Sequence, residues 1–452
     1  MSASTPDLHV VIIGAGTGGL CLAHGLKRAG ISVAVYERDP TRADGLHGYR
    51  VGINPDGSRA LRACLPPELY DTFVATCARA PEYVNFLTEK RQELLSLNGF
   101  TEDDPDPVNS EKSVSRMTLR QVLLTGVEDV VHFGKVFERH QQNTDGTVTA
   151  FFEDGSSAVG TVLVAADGSN SRVRRQYLPH SRLEECGPIG ITGKVPLTAE
   201  TAALLTPRMR RGISMVYAPK GHFCIYHVME FPWDADGAPK NGIGSTDAEL
   251  LGRWPGLTFD NSRDYIDWGL VVQAKRLPAG VLDMKGPDLF RLVNERTTTW
   301  HPDMRRLFAL ADPDSCFPIN IRTSVPIPQW ETTRITLIGD AIHTMTPGRG
   351  VGANTALRDA ALLCRKLTAA RDGKLPLLTA IREYETRMIE YGFDAVVKSR
   401  RSGGSTGPDQ PVVGRALLGG LRTLMRLVNH LPPVKQRMAE AQRAYRGHDR
   451  ED

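Results

Sequence analysis

The sequence predicts an α/β fold with a parallel sheet at its start, a mixed sheet in its middle and helices at its end. Three observations carry this. Residues 8–38 read as strand, glycine turn, helix and strand, through LHVVII, GAGTGGLCLAHGLKRAG and ISVAVYER. Between about 180 and 300, the segments GITGKVPL, ISMVYAP and HFCIYHVMEF read as strands of a separate sheet. After RITLIGDA the pattern is mostly helical to residue 452.

At 452 residues the chain can form two or three domains. Its net charge of +3 and pI near 8.4 are too weak a bias to predict a nucleic-acid partner or an acidic membrane surface. Seven cysteines, at 21, 64, 77, 186, 224, 316 and 364, form no C-x-x-C pair. That suits a reducing compartment and no metal site. The polar start MSASTPDLH and the short first apolar run argue against a targeting or spanning segment, so a cytoplasmic protein without stable membrane insertion is expected. The late run VVGRALLGGLRTLMRLVNHLPPV is interrupted by Arg415, Arg422, Arg426 and His430. It reads as an amphipathic helix that packs on its own protein, the alternative being a membrane-surface anchor.

The elements follow in order. Gly30 is placed to end the first helix. A helical stretch is expected near 58–75, then a strand pair in PEYVNFLT and QELLSLN. SVSRMTLRQVLLTGV reads as a strand end and a helix. Asp145-Gly146 and Asp154-Gly155 mark two hairpin turns before the apolar strand of TVLVAADG. A polar insertion covers about 232–260, helices are expected near 261–275 and 287–311, and a flexible break at 400–411. The implied domains are 1–180 with 312–372, then 181–311, then a helical 373–452.

Three motifs carry chemistry. GAGTGG places Gly14, Gly16 and Gly19 between a strand and a helix, 23 residues before the strand-end acid Glu37. Gly14 permits the tight turn, Gly16 lets backbone approach a pyrophosphate, and Gly19 lets helix and sheet pack closely. The helix start would receive phosphate charge, and Glu37 would accept from a ribose hydroxyl. This is a Rossmann-like dinucleotide site, with NAD or FAD left open. The second motif, VLVAADGSNSRVRR, ends a strand on Asp167-Gly168; alone it is equally a structural turn. The third, GDAIHTMTPGRGVGANTALRDA, ends a strand at Asp340 and enters a helix through Gly350 and Gly352. A bare helix start of this kind offers N–H groups and a positive dipole end to an electron-rich flat ring.

Together the three motifs resemble the group A flavoprotein aromatic hydroxylases, the para-hydroxybenzoate and salicylate hydroxylases and their polyketide-tailoring relatives, over roughly residues 8–400. The resemblance implies an FAD-binding domain, a mixed-sheet substrate domain and C-terminal helices. It implies that Glu37, with Arg38 beside it, meets the adenosine ribose. It makes Arg50 an arginine of a mobile flavin loop, and Arg116 or Arg120 a cofactor contact. It places Asp167 and Gly168 near both FAD and NAD(P)H, and Asp340 on a ribityl hydroxyl. Gly350, Gly352, Ala353 and Asn354 would lie under the flavin pyrimidine edge, and Pro347 would face the ring near the substrate. His343 reads as a packing or hydrogen-bonding residue. GDAIH departs from the family's GDAAH by one bulkier side chain, and the thioredoxin-like C-terminal domain of longer members is not expected in the residues after the third motif.

The implied reaction uses FAD, NAD(P)H and O2 to hydroxylate or epoxidise an electron-rich aromatic or polycyclic natural product through a flavin C4a-hydroperoxide. GIGSTD at 242–247 lacks a preceding strand, so no second nucleotide unit is expected. Lys194 and Tyr226 are the first choices for a base or hydrogen-bond partner to a phenolic substrate, before Tyr217, His222 and His227; Trp268 and Phe223 could stack on it. A halogenase or a reductase on the same scaffold is the alternative. Trp233, Trp254 and Trp268 do not form the W-x-W-x-I-P segment of tryptophan-type halogenases. A non-catalytic flavin sensor could dispense with Asp340 and Pro347, which are present. The oligomeric state is left open.

Overall fold

Val10, Val11, Ile12 and Ile13 are buried on both faces of their strand, which requires cover on both sides and a central place in a parallel sheet. The computed structural model describes residues 8–42, 44, 50–98, 106–232, 264–403 and 413–445. In chain order its strands are β1 (His9–Ile13), β2 (Ser32–Tyr36), β3 (Arg50–Ile53), β4 (Tyr83–Thr88), β5 (Glu93–Asn98), β6 (Lys112–Ser115), β7 (Val131–His132), β8 (Phe137–Gln142) and β9 (Val148–Phe152). Then come β10 (Ser157–Gly160), β11 (Val162–Ala165), β12 (Leu183–Pro196), β13 (Gly212–Tyr217), β14 (Phe223–Met229), β15 (Tyr265–Gln273), β16 (Phe317–Ser324) and β17 (Ile335–Leu337).

The first sheet is parallel, in the order β17-β11-β1-β2-β7. One face packs the Thr17–Arg28 helix, which in turn packs on the Gly352–Arg371 helix. Close approach is possible because Gly18 and Gly25 present no side chain to Ala356 and Cys364. The hairpins β8-β9 and β9-β10 form a small antiparallel sheet, turned at the two Asp-Gly pairs as expected. Ile381, Tyr384, Met388, Phe393 and Val396 of the Leu377–Gly403 helix complete this core.

The second sheet has seven strands, β16-β12-β15-β14-β13-β4-β5. It recruits 83–98 and 317–324 from outside the 181–311 expected for the substrate part. The helices Gly286–Arg296 and Pro302–Ala309 cover one face through Leu289, Leu292, Met304, Leu307 and Phe308.

Three expectations are corrected. Residues 265–273 are a strand, not a helix: Ile266, Trp268, Leu270 and Val272 bury alternately, with period 2. The stretch 58–75 is two helices, Pro55–Cys64 and Pro67–Ala75, broken at Pro66-Pro67. The stretch 287–311 is likewise two, the second starting at Pro302. The insertion at 232–260 and the break at 400–411 fall almost wholly outside the described residues.

Candidate functional site

Four parallel strands end at one edge of the first sheet, and each ends in a motif. β1 runs into Gly14, β2 into Glu37, β11 into Asp167 and β17 into Asp340. Ligands of open α/β sheets bind at the carboxyl ends of the strands. The glycine turn is tight: Gly14 has φ +105°, and a Cβ there would lie 2.5 Å from the Ala166 carbonyl oxygen. Gly19 is as crowded, a Cβ falling 2.2 Å from the Gly14 oxygen. Gly16 is looser, a Cβ there lying 4.0 Å from the Ala166 carbonyl oxygen. Glu37 is buried and accepts from the Ala15 N–H at 2.6 Å and the Asp39 N–H at 3.0 Å, so it also holds the turn. Each carboxylate oxygen keeps a lone pair for a hydroxyl. Arg38 beside it is exposed. Arg120 donates to Asp39 at 2.9 Å and to the Asp44 carbonyl at 2.5 Å, which fixes the loop after β2.

Asp167 accepts from Arg172 N–H at 2.8 Å through one oxygen, while its other oxygen is buried without a partner. Burial pushes its carboxyl up. Arg174 joins this motif to the third, donating to the Ser169 carbonyl at 2.9 Å and the Ala341 carbonyl at 2.8 Å.

The Asp340 loop is held from below. Asp359 accepts from the Gly339 N–H at 2.7 Å, from Tyr391 Oη at 2.6 Å, and pairs with His343 Nε2 at 2.6 Å. Burial lowers the His343 pKa, but the Asp359 carboxylate outweighs that and raises it. His343 is therefore a bracing residue, and Asp359 and Tyr391 are braces the motifs alone do not reveal. Asp340 itself is exposed, but the surrounding protein still raises its carboxyl, with His343 and Arg116 opposing. Pro347 and Gly350 are exposed on the approach. The Asn354 side chain is buried between Gly52 and Asn54 rather than facing the cleft, which leaves backbone at Gly352 and Ala353 for a flat ring.

These residues fit an FAD. The helices at Thr17 and Gly352 start without a side-chain cap or a first-turn acid, so their N–H groups and dipole ends suit a pyrophosphate and an electron-rich ring. Glu37 and Asp340 at the ends of β2 and β17 would be acceptors for sugar and ribityl hydroxyls, and Asp167, with its orphaned oxygen, follows β11 between them in the sheet order.

Beyond Arg50 the seven-stranded sheet presents a polar row. Lys194 pairs across strands with Asp267, and Asp267 with His227. Lys194 Nζ also lies 4.6 Å from the Tyr265 ring centroid. Asp267 is 3% exposed, and its Oδ1 has no hydrogen-bond partner. Burial lifts its carboxyl to about 7 against the pull of Lys194 and Arg50, whose backbone N–H donates to it. Arg50 Nε donates to Ser113 Oγ at 2.7 Å, and both line a cleft with His227. Arg79 and Arg210 flank this cleft, both paired to Glu230, at 3.0 and 2.9 Å.

Tyr226 is on the opposite face. It is 2% exposed and packs with Trp268 and Phe308 under the covering helices, because strand neighbours alternate in facing. It is placed away from Lys194 and the cleft. Tyr217 and Phe223 pack on each other, with Tyr217 also stacked on Phe86. His222 is buried and pushed down to about 4.

Known proteins agree with this architecture. A family model described as an FAD binding domain matches residues 7–261 and 295–384. The dual O-methyltransferase/FAD-dependent monooxygenase CTB3 of Cercospora beticola is 31% identical over 86% of this chain; the chain spans about half of it, 45%. The FAD-dependent urate hydroxylase of Klebsiella pneumoniae is 28% identical over 87% of this chain and 89% of its own. A Photorhabdus luminescens protein described as an FAD-containing monooxygenase superposes with a TM-score of 0.74 at 32% identity, covering 88% of this chain and 98% of that one. Klebsiella pneumoniae HpxO with FAD and uric acid shares the fold, at TM-score 0.73 and 22% identity over 98% of both chains. With its strand-end cradle and these matches, the chain belongs to the family of the group A FAD-dependent hydroxylases.

Proposed function

We propose that the chain hydroxylates or epoxidises an electron-rich aromatic or polycyclic natural product bearing an ionisable hydroxyl, with NAD(P)H as reductant and O2 as oxygen source. The observation that carries this is the row Lys194–Asp267–His227, with Asp267 and His227 buried and the Arg50 N–H given to Asp267. Among the named relatives, a urate hydroxylase acts on a heteroaromatic substrate. FAD, when bound, would supply the hydride-accepting and oxygen-activating chemistry.

The protein's own groups do the rest. Glu37 and Asp340 would hold the cofactor through its hydroxyls, and the two bare helix starts would hold its phosphates and ring edge. Asp267 takes the proton of the substrate hydroxyl, and the Lys194 ammonium steadies the oxyanion left behind. A deprotonated oxygen pushes electron density into the ring and makes its carbon a better nucleophile. Pro347 closes the approach against water. Arg50 links the cofactor loop to the substrate sheet through the N–H it gives Asp267. Tyr226 has no part, being behind the sheet.

The test is NADH and NADPH oxidation by the FAD-loaded chain in air, with and without a panel of polycyclic phenols. At least one phenol should accelerate oxidation and gain one oxygen atom. One unchanging rate with every phenol, with hydrogen peroxide as the sole oxygen product, would count against the reading.

A further inference from the structure

The helices Val413–Asn429 and Pro432–Tyr445 are attached to the protein with their amphipathicity reversed. A helix on a globular protein normally turns its apolar stripe to the core. Here polar side chains make the attachment. Arg422 bonds Glu89 and the Tyr217 carbonyl, Asn429 accepts from the Ser96 N–H at 3.2 Å, and Arg426 donates to Gln92 at 3.2 Å. All of these partners lie on or beside β4, β5 and β13. The leucines face away: Leu417, Leu424 and Leu427 are 55, 58 and 59% exposed, and Leu421 and Leu431 are exposed with them. Of the eleven exposed large hydrophobics among the described residues, seven lie on 417–438. Leu417, Leu421 and Leu424 follow at i, i+4 and i+7 on the Val413–Asn429 helix, one stripe, and Leu431 stands exposed where that helix ends. An apolar surface this concentrated marks an interaction site.

Charge selects the occupant. Residues 413–445 hold six Arg and Lys against the single acid Glu440, a surplus of five, whereas the whole chain is +3. The rest of the chain is therefore negative by two. A second copy would bring two such surpluses together. An anionic lipid surface offers an apolar layer for the leucines and headgroup charge for Lys435 and Arg437, Arg422 and Arg426 being turned to the protein. No helix among the described residues is long and apolar enough to cross a membrane, so adsorption in the plane of the interface is what the pair can do.

We propose that the 413–445 helices dock the enzyme on the surface of bilayers bearing anionic headgroups. The attachment of Arg422 to the Tyr217 carbonyl would then set the substrate sheet against that surface.

The test is co-sedimentation of the FAD-loaded full chain with phosphatidylcholine vesicles and with vesicles containing phosphatidylglycerol. Binding should need the anionic lipid and fall as salt rises. Leu424→Glu with Leu427→Glu should weaken it roughly tenfold or more while FAD content and melting temperature stay unchanged. Three results would overturn the proposal: no sedimentation with anionic vesicles, equal binding to both vesicle types, or a double variant that binds as the parent does. A homodimer in the ultracentrifuge that the double variant converts to monomer would reassign the face to a second copy.

Discussion

Asn354 and Asn54, 300 residues apart in sequence, are joined by one hydrogen bond: the Asn54 N–H donates to Asn354 Oδ1 at 2.9 Å. The other end of the same amide donates to the Gly52 carbonyl at 2.8 Å. One buried side chain thus clips the strand that carries Arg50 to the helix at the third glycine motif. Asn354→Ala would leave a buried donor and acceptor unpaired and cost roughly 2–4 kcal/mol. We expect a lower melting temperature and faster FAD loss together. A fall in stability with FAD retention untouched would separate the clip from the cofactor site.

Asp340→Ala should weaken FAD binding roughly tenfold to a hundredfold, the equivalent of one charge-assisted hydrogen bond to a hydroxyl. Titration of the apoprotein followed by flavin fluorescence measures it. An unchanged dissociation constant would show that the carboxylate does not touch the cofactor.

Glu385 is fully buried, and burial raises its carboxyl to about 7, although it accepts from Thr332 Oγ1 at 2.6 Å and Trp330 Nε1 at 3.1 Å. A folded pKa above the unfolded one gives stability that is complete below the unfolded value and lost as pH rises through 7. Stability should therefore decline from about pH 4.5 to 7. Glu385→Gln should flatten that decline and raise stability at pH 8 by up to roughly 3 kcal/mol, since about 1.4 kcal/mol attends each pKa unit. Urea melts across this pH range decide it; parallel curves for parent and variant would refute the assignment.

With an accelerating phenol, turnover should rise as pH passes through about 7 and Asp267 becomes an ionised acceptor. Asp267→Asn should keep FAD and bind the phenol, but lose that limb of the profile and roughly a hundredfold in kcat. The same limb persisting in the variant would place the titrating group elsewhere.

Arg50→Ala should retain FAD and substrate binding but lose most of the substrate's acceleration of flavin reduction, because it removes the guanidinium that bonds Ser113 Oγ and pulls on the Asp267 carboxyl. Stopped-flow reduction by NADPH and NADH, with and without the phenol, reads this. Undiminished acceleration in the variant would remove Arg50 from the gate.

The cofactor half was legible in the sequence because each acid or glycine sits directly at the end of its own apolar strand. Gly14, Glu37, Asp167 and Asp340 needed only the parallel order to meet. The substrate half was not, because facing on a sheet changes with a single residue. His227 and Tyr226 are neighbours, and only the helices at 286–296 and 302–309 decide which of them is covered. Asp267 was hidden for a related reason. Its segment YIDWGLVVQ mixes Asp and Gly into an apolar run, and its period of 2 emerges only when β12 and β14 pair on either side. Asp359 and Tyr391 brace His343 from 16 and 48 residues away, a distance no local motif spans.

The most direct measurement is the origin of the oxygen atom in the product. The FAD-loaded chain is supplied with NAD(P)H and an accelerating phenol under oxygen-18 gas, and the product is weighed by mass spectrometry. The account predicts one labelled oxygen per product molecule and one NAD(P)H consumed with it. A product formed without O2, or one whose new oxygen comes from labelled water, would contradict it.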